Sequence, residues 1–252
     1  MERILVRLGI EPPGQWVLKG GMAMEVRMPD KARTTRDLDL ATRHAIIDDA
    51  DLGMRLGDLL SRDDEGDRFT FGVTAIRHIE AHGPERPTRR LRLSSRLAGR
   101  PFVDLRVDVS ARVTELGFTE PLVLPNSLDF DGFPAHDFET VSASQHFAEK
   151  LHALTRDYGR ENTRTRDLVD LVLLITNGLV TPASVLPAVV LVFQDRAAHP
   201  VPIDLQDPPR AWAEPFARMA AEVGLEVSGV PSAMAIVRAF WADALDQDRA
   251  AR

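Results

Sequence analysis

The segment from Lys19 to Leu40 constrains the fold and the chemistry of this chain more than any other stretch. An apolar run at 16–18 predicts a short buried strand, which the pair Gly20-Gly21 ends before a helical spacing of apolar residues begins. Two glycines between a strand and a helix let the backbone approach a phosphate closely, and the N–H groups and dipole of the helix then face that phosphate. We therefore predict a phosphate-binding turn at this point.

The same segment ends in the motif Asp37-Leu38-Asp39-Leu40. The alternation fits a strand with one buried face, so the two carboxylates project to the same side with their Cα atoms about 6.6 Å apart. Such a pair can hold Mg²⁺, a hard cation that takes few protein carboxylates and completes its shell with phosphate oxygens and water. A phosphate-holding turn followed by a metal-holding D-x-D indicates phosphoryl or nucleotidyl transfer.

The motifs Leu18-Lys19-Gly20-Gly21 and Arg36-Asp37-Leu38-Asp39-Leu40 resemble, in order and spacing, those of the AbiEii-type nucleotidyltransferases. These are the toxin half of abortive-infection toxin–antitoxin pairs and belong to the polymerase-beta-like nucleotidyltransferase superfamily. The resemblance implies transfer of a nucleoside monophosphate from an NTP to an acceptor hydroxyl, with Mg²⁺ as cofactor and Mn²⁺ as an alternative ion. It also implies the 3′ end of tRNA as acceptor and an antitoxin as protein partner. One departure is Met22, where family members often carry Ser or Thr.

A third carboxylate is predicted on the strand at 102–110. Its alternation places Val103, Leu105, Val107 and Val109 in the core and the residues between them on the opposite face. The resemblance implies a carboxylate on a strand beside the D-x-D strand, where it completes the metal site and can take a proton from the attacking hydroxyl. Asp108 matches that pattern. Asp104 shares its face but lies about 13 Å away, so we expect it to be an ordinary surface acid.

Two motifs in the helical half extend the resemblance. Residues 148–154 are similar to the family sequence A-E-K-L-x-A-L, and residues 164–171 to R-x-K-D-L-x-D-L, with Arg166 in place of the usual lysine. The resemblance implies that Lys150 and Asp170 join Asp37, Asp39 and Asp108 as catalytic residues. It implies a nucleotide-binding set of Lys19, Gly20, Gly21, Arg36, Arg164, Arg166 and Asp167. On the residues alone, the alternative is a salt-bridge network that holds two helices together.

The region 86–100 is the most positively charged part of a chain whose net charge is −7. It contains Arg86, Arg89, Arg90, Arg92, Arg96 and Arg100, on and around a predicted strand at 89–97. One interpretation is a solvated strand face. The other is a strip that follows an RNA backbone or contacts the triphosphate, for which forked guanidinium donors are suited. Because the overall charge is negative, any RNA must bind such a local patch.

The fold class that we predict is α/β. Residues 1–139 are expected to form a nucleotidyltransferase domain with a mixed sheet of four or five strands, and residues 140–252 a helical bundle that contributes to the active-site cleft. The proline- and glycine-rich stretch 117–138 reads as a connection. The chain has no cysteine, which excludes disulfides and thiolate metal sites. No apolar run reaches the length of a membrane span, so we predict a cytoplasmic protein that does not bind membranes.

Two other functions remain open from the sequence. A small-molecule nucleotidyltransferase of the aminoglycoside-modifying kind uses the same carboxylates. A catalytically silent protein that binds an antitoxin or nucleic acid through its helical half is the second alternative. The presence of Asp37, Asp39 and Asp108 argues against the silent protein, because binding alone does not require a metal-holding set.

Overall fold

The computed structural model describes residues 1–46, 48–79, 88–111, 117–159, 161–227 and 229–251. Within these ranges the strands are β1 (Trp16–Lys19), β2 (Asp37–Thr42), β3 (Phe69–Ile79), β4 (Thr88–Leu97), β5 (Arg100–Ala111), β6 (Thr119–Val123) and β7 (Asp137–Val141). The α-helices are α1 (Glu2–Leu8), α2 (Gly20–Arg27), α3 (Asp49–Ser61), α4 (Ala143–Thr155), α5 (Thr165–Thr176), α6 (Pro182–Arg196), α7 (Ala213–Glu222) and α8 (Val230–Ala251). The predicted α/β class is confirmed.

The chain divides into two compact units. The first contains the strands together with α1, α2 and α3, and the second contains α4 to α8 with the short segment Asp30–Arg33. The main chain enters the second unit at Ser142, directly after β7. Within the described ranges, no helix is both long and apolar enough to cross a membrane.

The strands form one mixed sheet with the order β3-β4-β5-β2-β1-β7-β6. The β2–β5 and β1–β7 pairs are parallel, and the other neighbours are antiparallel. The prediction of four or five strands is wrong, because the stretch read as a connection contributes β6 and the start of β7. Pro121 lies in β6, which is an edge strand, and an edge position tolerates a residue that cannot donate to a ladder.

The centre of the sheet is apolar where β2 and β5 lie side by side. Leu38 and Leu40 are fully buried, as are their neighbours Val107 and Val109 on β5. The prediction that Val103 is buried is wrong, since it is 46% exposed. The β2–β5 pairing begins only at Arg106, so the earlier part of β5 has β4 as its neighbour but not β2.

A buried ion-pair network fixes α1 to the segment before β3. Arg7 donates to both carboxylate oxygens of Asp67 at 2.8 and 2.7 Å, and Arg3 donates to the same carboxylate. Burial alone would raise the pKa of Asp67, but the hydrogen bonds from Arg7, Arg3 and the Phe69 N–H outweigh it and hold that pKa well below its usual value. Asp67 is therefore a structural anion in the first unit.

The second unit is a helical bundle whose first helix has a polar cap. The Ser142 hydroxyl accepts a hydrogen bond from the Gln145 N–H at 3.1 Å, which satisfies a donor at the start of α4. The largest fully buried side chains of this unit include Phe147, Phe216 and Trp241. The apolar stripes of these helices therefore meet in a common core.

His152 in this core gives a prediction for the pH dependence of stability. It is buried against the rings of Phe193 and His199, and this burial, with the positive charge of Arg196, lowers its pKa to about 3. Its unfolded pKa is near 6.5, so the unfolded state binds the proton first and stability is lost as the pH falls below about 6.5.

We expect His152→Phe to remove part of this pH dependence. When the pH falls from about 7.5 to about 5, protonation of His152 in the unfolded state should lower the free energy of unfolding of the unaltered protein by roughly 1–2 kcal/mol. The variant should not show this part of the loss. Urea unfolding at both pH values measures this difference. Some dependence should remain, because burial also lowers the pKa of His199. Equal losses in the two proteins would contradict the assignment.

Candidate active site

Four charged residues lie in one row across four neighbouring strands of the first unit. Lys19 on β1 pairs with Asp39 on β2, Asp39 pairs with Asp108 on β5, and Asp108 pairs with Arg90 on β4. Directly paired residues project to the same face of a sheet, so the side chains of this row share one face. The structure therefore brings the second aspartate of the D-x-D motif beside the predicted third carboxylate.

Asp37 occupies the next row on the same face. It is the cross-strand partner of Arg106, whose guanidinium lies 3.4 Å from the Asp37 carboxylate. The Asp37 side chain is 40% exposed, whereas the side chain of Asp108 is 12% exposed. Asp37 and Asp39 alternate with buried Leu38, in agreement with the predicted strand.

Gly20 and Asp39 are in such close contact that the glycine is required. Gly20 has a φ of +67°, and a Cβ built on it would overlap the Asp39 carboxylate. Helix α2 begins at Gly20, and its capping residue Lys19 makes no side-chain cap. The first N–H groups of a helix lack partners within the helix and favour a nearby negative charge. The glycine turn therefore places the positive end of α2 against Asp39.

We predict that Gly20→Ala misplaces Asp39 and reduces nucleotidyl transfer by about 100-fold, which is the loss that a displacement of about 1 Å can cause. The matched control is Gly66→Ala. Gly66 has a similar φ of +71°, but a Cβ there meets no atom within 4 Å. The control should lose about 1–2 kcal/mol of stability from backbone strain and keep its activity. Equal activity losses in the two variants would contradict the steric explanation.

The other predicted residues around this turn lie in different environments. Gly21 and Met22 are buried within the first turn of α2, and Arg36 is exposed immediately before β2. Met22 thus fills core space at the position where family members often carry a hydroxyl.

Arg90 belongs to the predicted arginine strip, but the sequence did not connect it with the carboxylates. Its Nε and Nη2 donate to the two carboxylate oxygens of Asp108 at 2.9 and 2.8 Å. These hydrogen bonds raise the pKa of Arg90, and the charges of Asp108, Asp37 and Asp39 add to the effect. All three predicted metal ligands therefore act on one guanidinium.

The donor chemistry of this site fits Mg²⁺, because three carboxylates supply the hard oxygen ligands that it prefers. Within the described part of the chain, no group of three or more His, Asp or Glu side chains is arranged to hold a metal ion. The contacts explain this, since Asp108 is directed at Arg90 and Asp37 lies near Arg106. Asp37, Asp39 and Asp108 are the residues that could hold the ion after these side chains rearrange.

A second charged cluster lies in the helical unit. Lys150 Nζ is 2.9 Å from Asp167 and 2.7 Å from Asp170, and Arg33 lies 3.4 Å from the Asp170 carboxylate. Burial alone would lower the pKa of Lys150, but the two carboxylates outweigh it and raise that pKa. Burial alone would raise the pKa of Asp170, whereas Lys150 and Arg33 lower it. The salt-bridge network that was the structural alternative is therefore present.

The predicted nucleotide-binding arginines of this unit lie at its surface. Arg166 is exposed, and Arg164 is partly exposed at 3.9 Å from Asp167. The Arg164 guanidinium also stacks over the Tyr158 ring, 5.0 Å from its centroid. Both arginines are thus accessible to an anion.

The predicted arginine strip is divided by the structure. Arg89 is buried and lies 3.3 Å from Asp49, and Arg90 binds Asp108. The exposed members are Arg92, Arg96 and Arg100. Arg86 lies outside the described residues.

The comparisons with known proteins give one family and one similar fold. A family model described as "Nucleotidyl transferase AbiEii toxin, Type IV TA system" matches residues 3–241. The fold is similar to that of MenT4, a nucleotidyltransferase toxin from Mycobacterium tuberculosis H37Rv, with a TM-score of 0.57 and 20% sequence identity. That similarity covers 98% of this chain and 84% of the other. No match was found among curated protein sequences.

Proposed function

Because this chain belongs to the AbiEii nucleotidyltransferase toxins of type IV toxin–antitoxin systems, we propose that it transfers a nucleoside monophosphate from an NTP to the 3′ end of tRNA with Mg²⁺ as cofactor. The register that pairs Asp39 with Asp108 carries the proposal. It sets two carboxylates from different strands side by side, next to a helix N-terminus that favours negative charge.

In this proposal, Asp37, Asp39 and Asp108 hold Mg²⁺, and Mn²⁺ is a possible substitute. The bound ion would neutralise developing negative charge on the phosphate oxygens. Asp108 accepts the proton of the acceptor hydroxyl. The hydroxyl oxygen forms a bond to the α-phosphorus, the bond from that phosphorus to the bridging oxygen breaks, and pyrophosphate leaves.

The triphosphate is assigned to the positive groups around the glycine turn. Lys19 precedes the turn, and the N–H groups at the start of α2 are donors suited to phosphate oxygens. Arg36 lies exposed directly before the D-x-D strand. The assignment of Lys150, Asp170, Asp167, Arg164 and Arg166 to the reaction stays a prediction from the family motifs, as does the contribution of residues 140–252 to the cleft.

An RNA acceptor is supported by like charges on the face that carries the carboxylates. Arg92 on β4 is the cross-strand partner of Arg106 on β5, and both are exposed. Like charges placed directly opposite each other destabilise a sheet unless an anion compensates them. The Asp37 carboxylate, 3.4 Å from Arg106, offsets part of this positive charge. The phosphates of an RNA backbone would offset the rest, whereas this arginine pair would repel a cationic aminoglycoside.

The test is incubation of the purified protein with total tRNA, Mg²⁺ and each α-labelled NTP in turn. We expect label on tRNA with at least one NTP, and none on tRNA whose terminal hydroxyls have been oxidised. Label on an aminoglycoside but not on tRNA would replace the proposed acceptor with a small molecule. Failure to bind any Mg²⁺–NTP would overturn the enzymatic proposal and favour the silent binding protein.

The family description also names a toxin–antitoxin system. We therefore propose that an antitoxin protein is a partner of this chain and that the reaction takes place in the cytoplasm. Co-expression with the protein encoded beside it, followed by the tRNA-labelling assay, tests whether that protein suppresses the activity.

A further inference from the structure

We propose that Arg90 is a built-in counter-ion of the carboxylate site, which holds Asp108 until a divalent cation displaces it. The inference rests on the proposed function, because it concerns the same three carboxylates. It adds a determinant of metal affinity that the motifs of the chain do not contain.

The contact between Arg90 and Asp108 uses both carboxylate oxygens. The guanidinium donates from Nε to Oδ1 at 2.9 Å and from Nη2 to Oδ2 at 2.8 Å. Forked pairs of this kind are among the stronger hydrogen-bonded interactions in proteins. The side chain of Asp108 is only 12% exposed, so water competes weakly for these oxygens. A cation that approaches Asp108 therefore competes with this guanidinium for the two carboxylate oxygens.

The charge of Arg90 also acts on the rest of the site. Asp39 is the cross-strand partner of Asp108, and Asp37 lies two residues before Asp39 on the same face of the sheet. The guanidinium thus supplies positive charge to the three carboxylates that would share a divalent ion. Repulsion from this charge weakens metal binding further until the side chain moves away.

The surroundings of Arg90 allow that movement. Its side chain is 40% exposed and extends from β4, whereas Asp108 is held in the buried part of β5. Arginine carries its charge on a flexible stem, so the guanidinium can turn toward solvent while the sheet remains unchanged. Release of Asp108 by Arg90 requires rotation of one side chain only.

The position of Arg90 depends on an irregularity in the β4–β5 hairpin. Arg96 pairs with Pro101, but Ser94 pairs with Asp104, so the register shifts by one residue between these pairs. Without this shift, Arg89 instead of Arg90 would be opposite Asp108. Arg89 lies on the buried side of β4 and contacts Asp49. The shift therefore determines that Arg90, and not Arg89, lies opposite Asp108.

The experiment is a titration of the full chain with Mn²⁺ in the absence of nucleotide and RNA. Electron paramagnetic resonance measures the concentration of the free ion at each step. We expect Arg90→Gln to bind Mn²⁺ about 10- to 100-fold more tightly than the unaltered protein, since a charge-assisted pair no longer competes. Arg92→Gln is the matched control, because it removes the same charge two residues away on the same strand face. The control should change the affinity by less than about threefold, as expected for an exposed charge.

A second pair of variants shows whether the effect passes through Asp108. In an Asp108→Asn background, adding Arg90→Gln should change Mn²⁺ affinity no more than Arg92→Gln does. Equal gains from Arg90→Gln and Arg92→Gln, or no gain from either, would overturn the inference while leaving the proposed function intact. If neither the unaltered protein nor any variant binds Mn²⁺ alone, the inference is overturned, whereas the proposed function is decided separately by the tRNA-labelling assay with Mg²⁺ and NTP.

Discussion

Asp39→Asn is expected to lower nucleotidyl transfer by at least about 1000-fold, because the proposed Mg²⁺ site would lose one of its three carboxylates and with it several kcal/mol of transition-state stabilisation. Asp39 is the carboxylate that contacts the glycine turn and pairs across the sheet with both Lys19 and Asp108. Asparagine has nearly the same shape, so the variant should fold normally. Initial rates with α-labelled NTP measure the loss, and circular dichroism checks the fold.

The control for this prediction is Asp104→Asn. Asp104 lies on the same strand as Asp108 but is exposed and pairs with Ser94, away from the β2 register. Its replacement removes one surface charge and should leave the rate within about threefold of the unaltered protein. A rate loss for Asp104→Asn equal to that for Asp39→Asn would mean that surface charge, and not the row at Asp39 and Asp108, controls the reaction.

Lys150→Met should lower the free energy of unfolding by about 3–5 kcal/mol, because it leaves two buried carboxylates without their central cation. The Lys150 ammonium lies within 2.9 Å of Asp167 and 2.7 Å of Asp170, and Asp170 is fully buried. Arg33 remains near Asp170 in the variant but does not replace the contact with Asp167. Urea denaturation monitored by circular dichroism measures the change in the free energy of unfolding.

Lys31→Met is the matched control for this loss. Lys31 is an exposed lysine of the same unit, and its ammonium donates to the Asn177 side chain at 2.8 Å. Its replacement should change the free energy of unfolding by less than about 0.5 kcal/mol. If Lys150→Met were no more destabilised than Lys31→Met, the network would not stabilise the bundle, and the motif would have a purely functional explanation.

The local features of the site follow from the sequence, because they depend on residues close together in the chain. The alternation of Asp37, Leu38 and Asp39 fixes which side chains share a face, since successive side chains of a strand point to opposite sides. The glycine pair likewise predicts the turn before α2, and the positive φ of Gly20 agrees with it. The same reasoning predicted the α/β class.

The relations between distant segments could not be predicted in this way. A one-residue register shift in the β4–β5 hairpin determines whether Arg89 or Arg90 lies opposite Asp108. No residue pattern in β4 predicts this shift. Arg33 and Asp170 are 137 positions apart, so only the folded chain shows their contact. The strand β6 was not predicted because it contains Pro121. A strand tolerates proline at the edge of a sheet, and the edge position of β6 becomes known only with the full strand order.

The most direct test of the central claim compares α-labelled and γ-labelled NTP in parallel reactions with tRNA and Mg²⁺. Nucleotidyl transfer at Asp39 and Asp108 predicts label on tRNA from the α position only, with the γ label released in pyrophosphate. Asp39→Asn should abolish that α-label transfer. Transfer of the γ label to tRNA, or α-label transfer that persists undiminished in Asp39→Asn, would contradict the account.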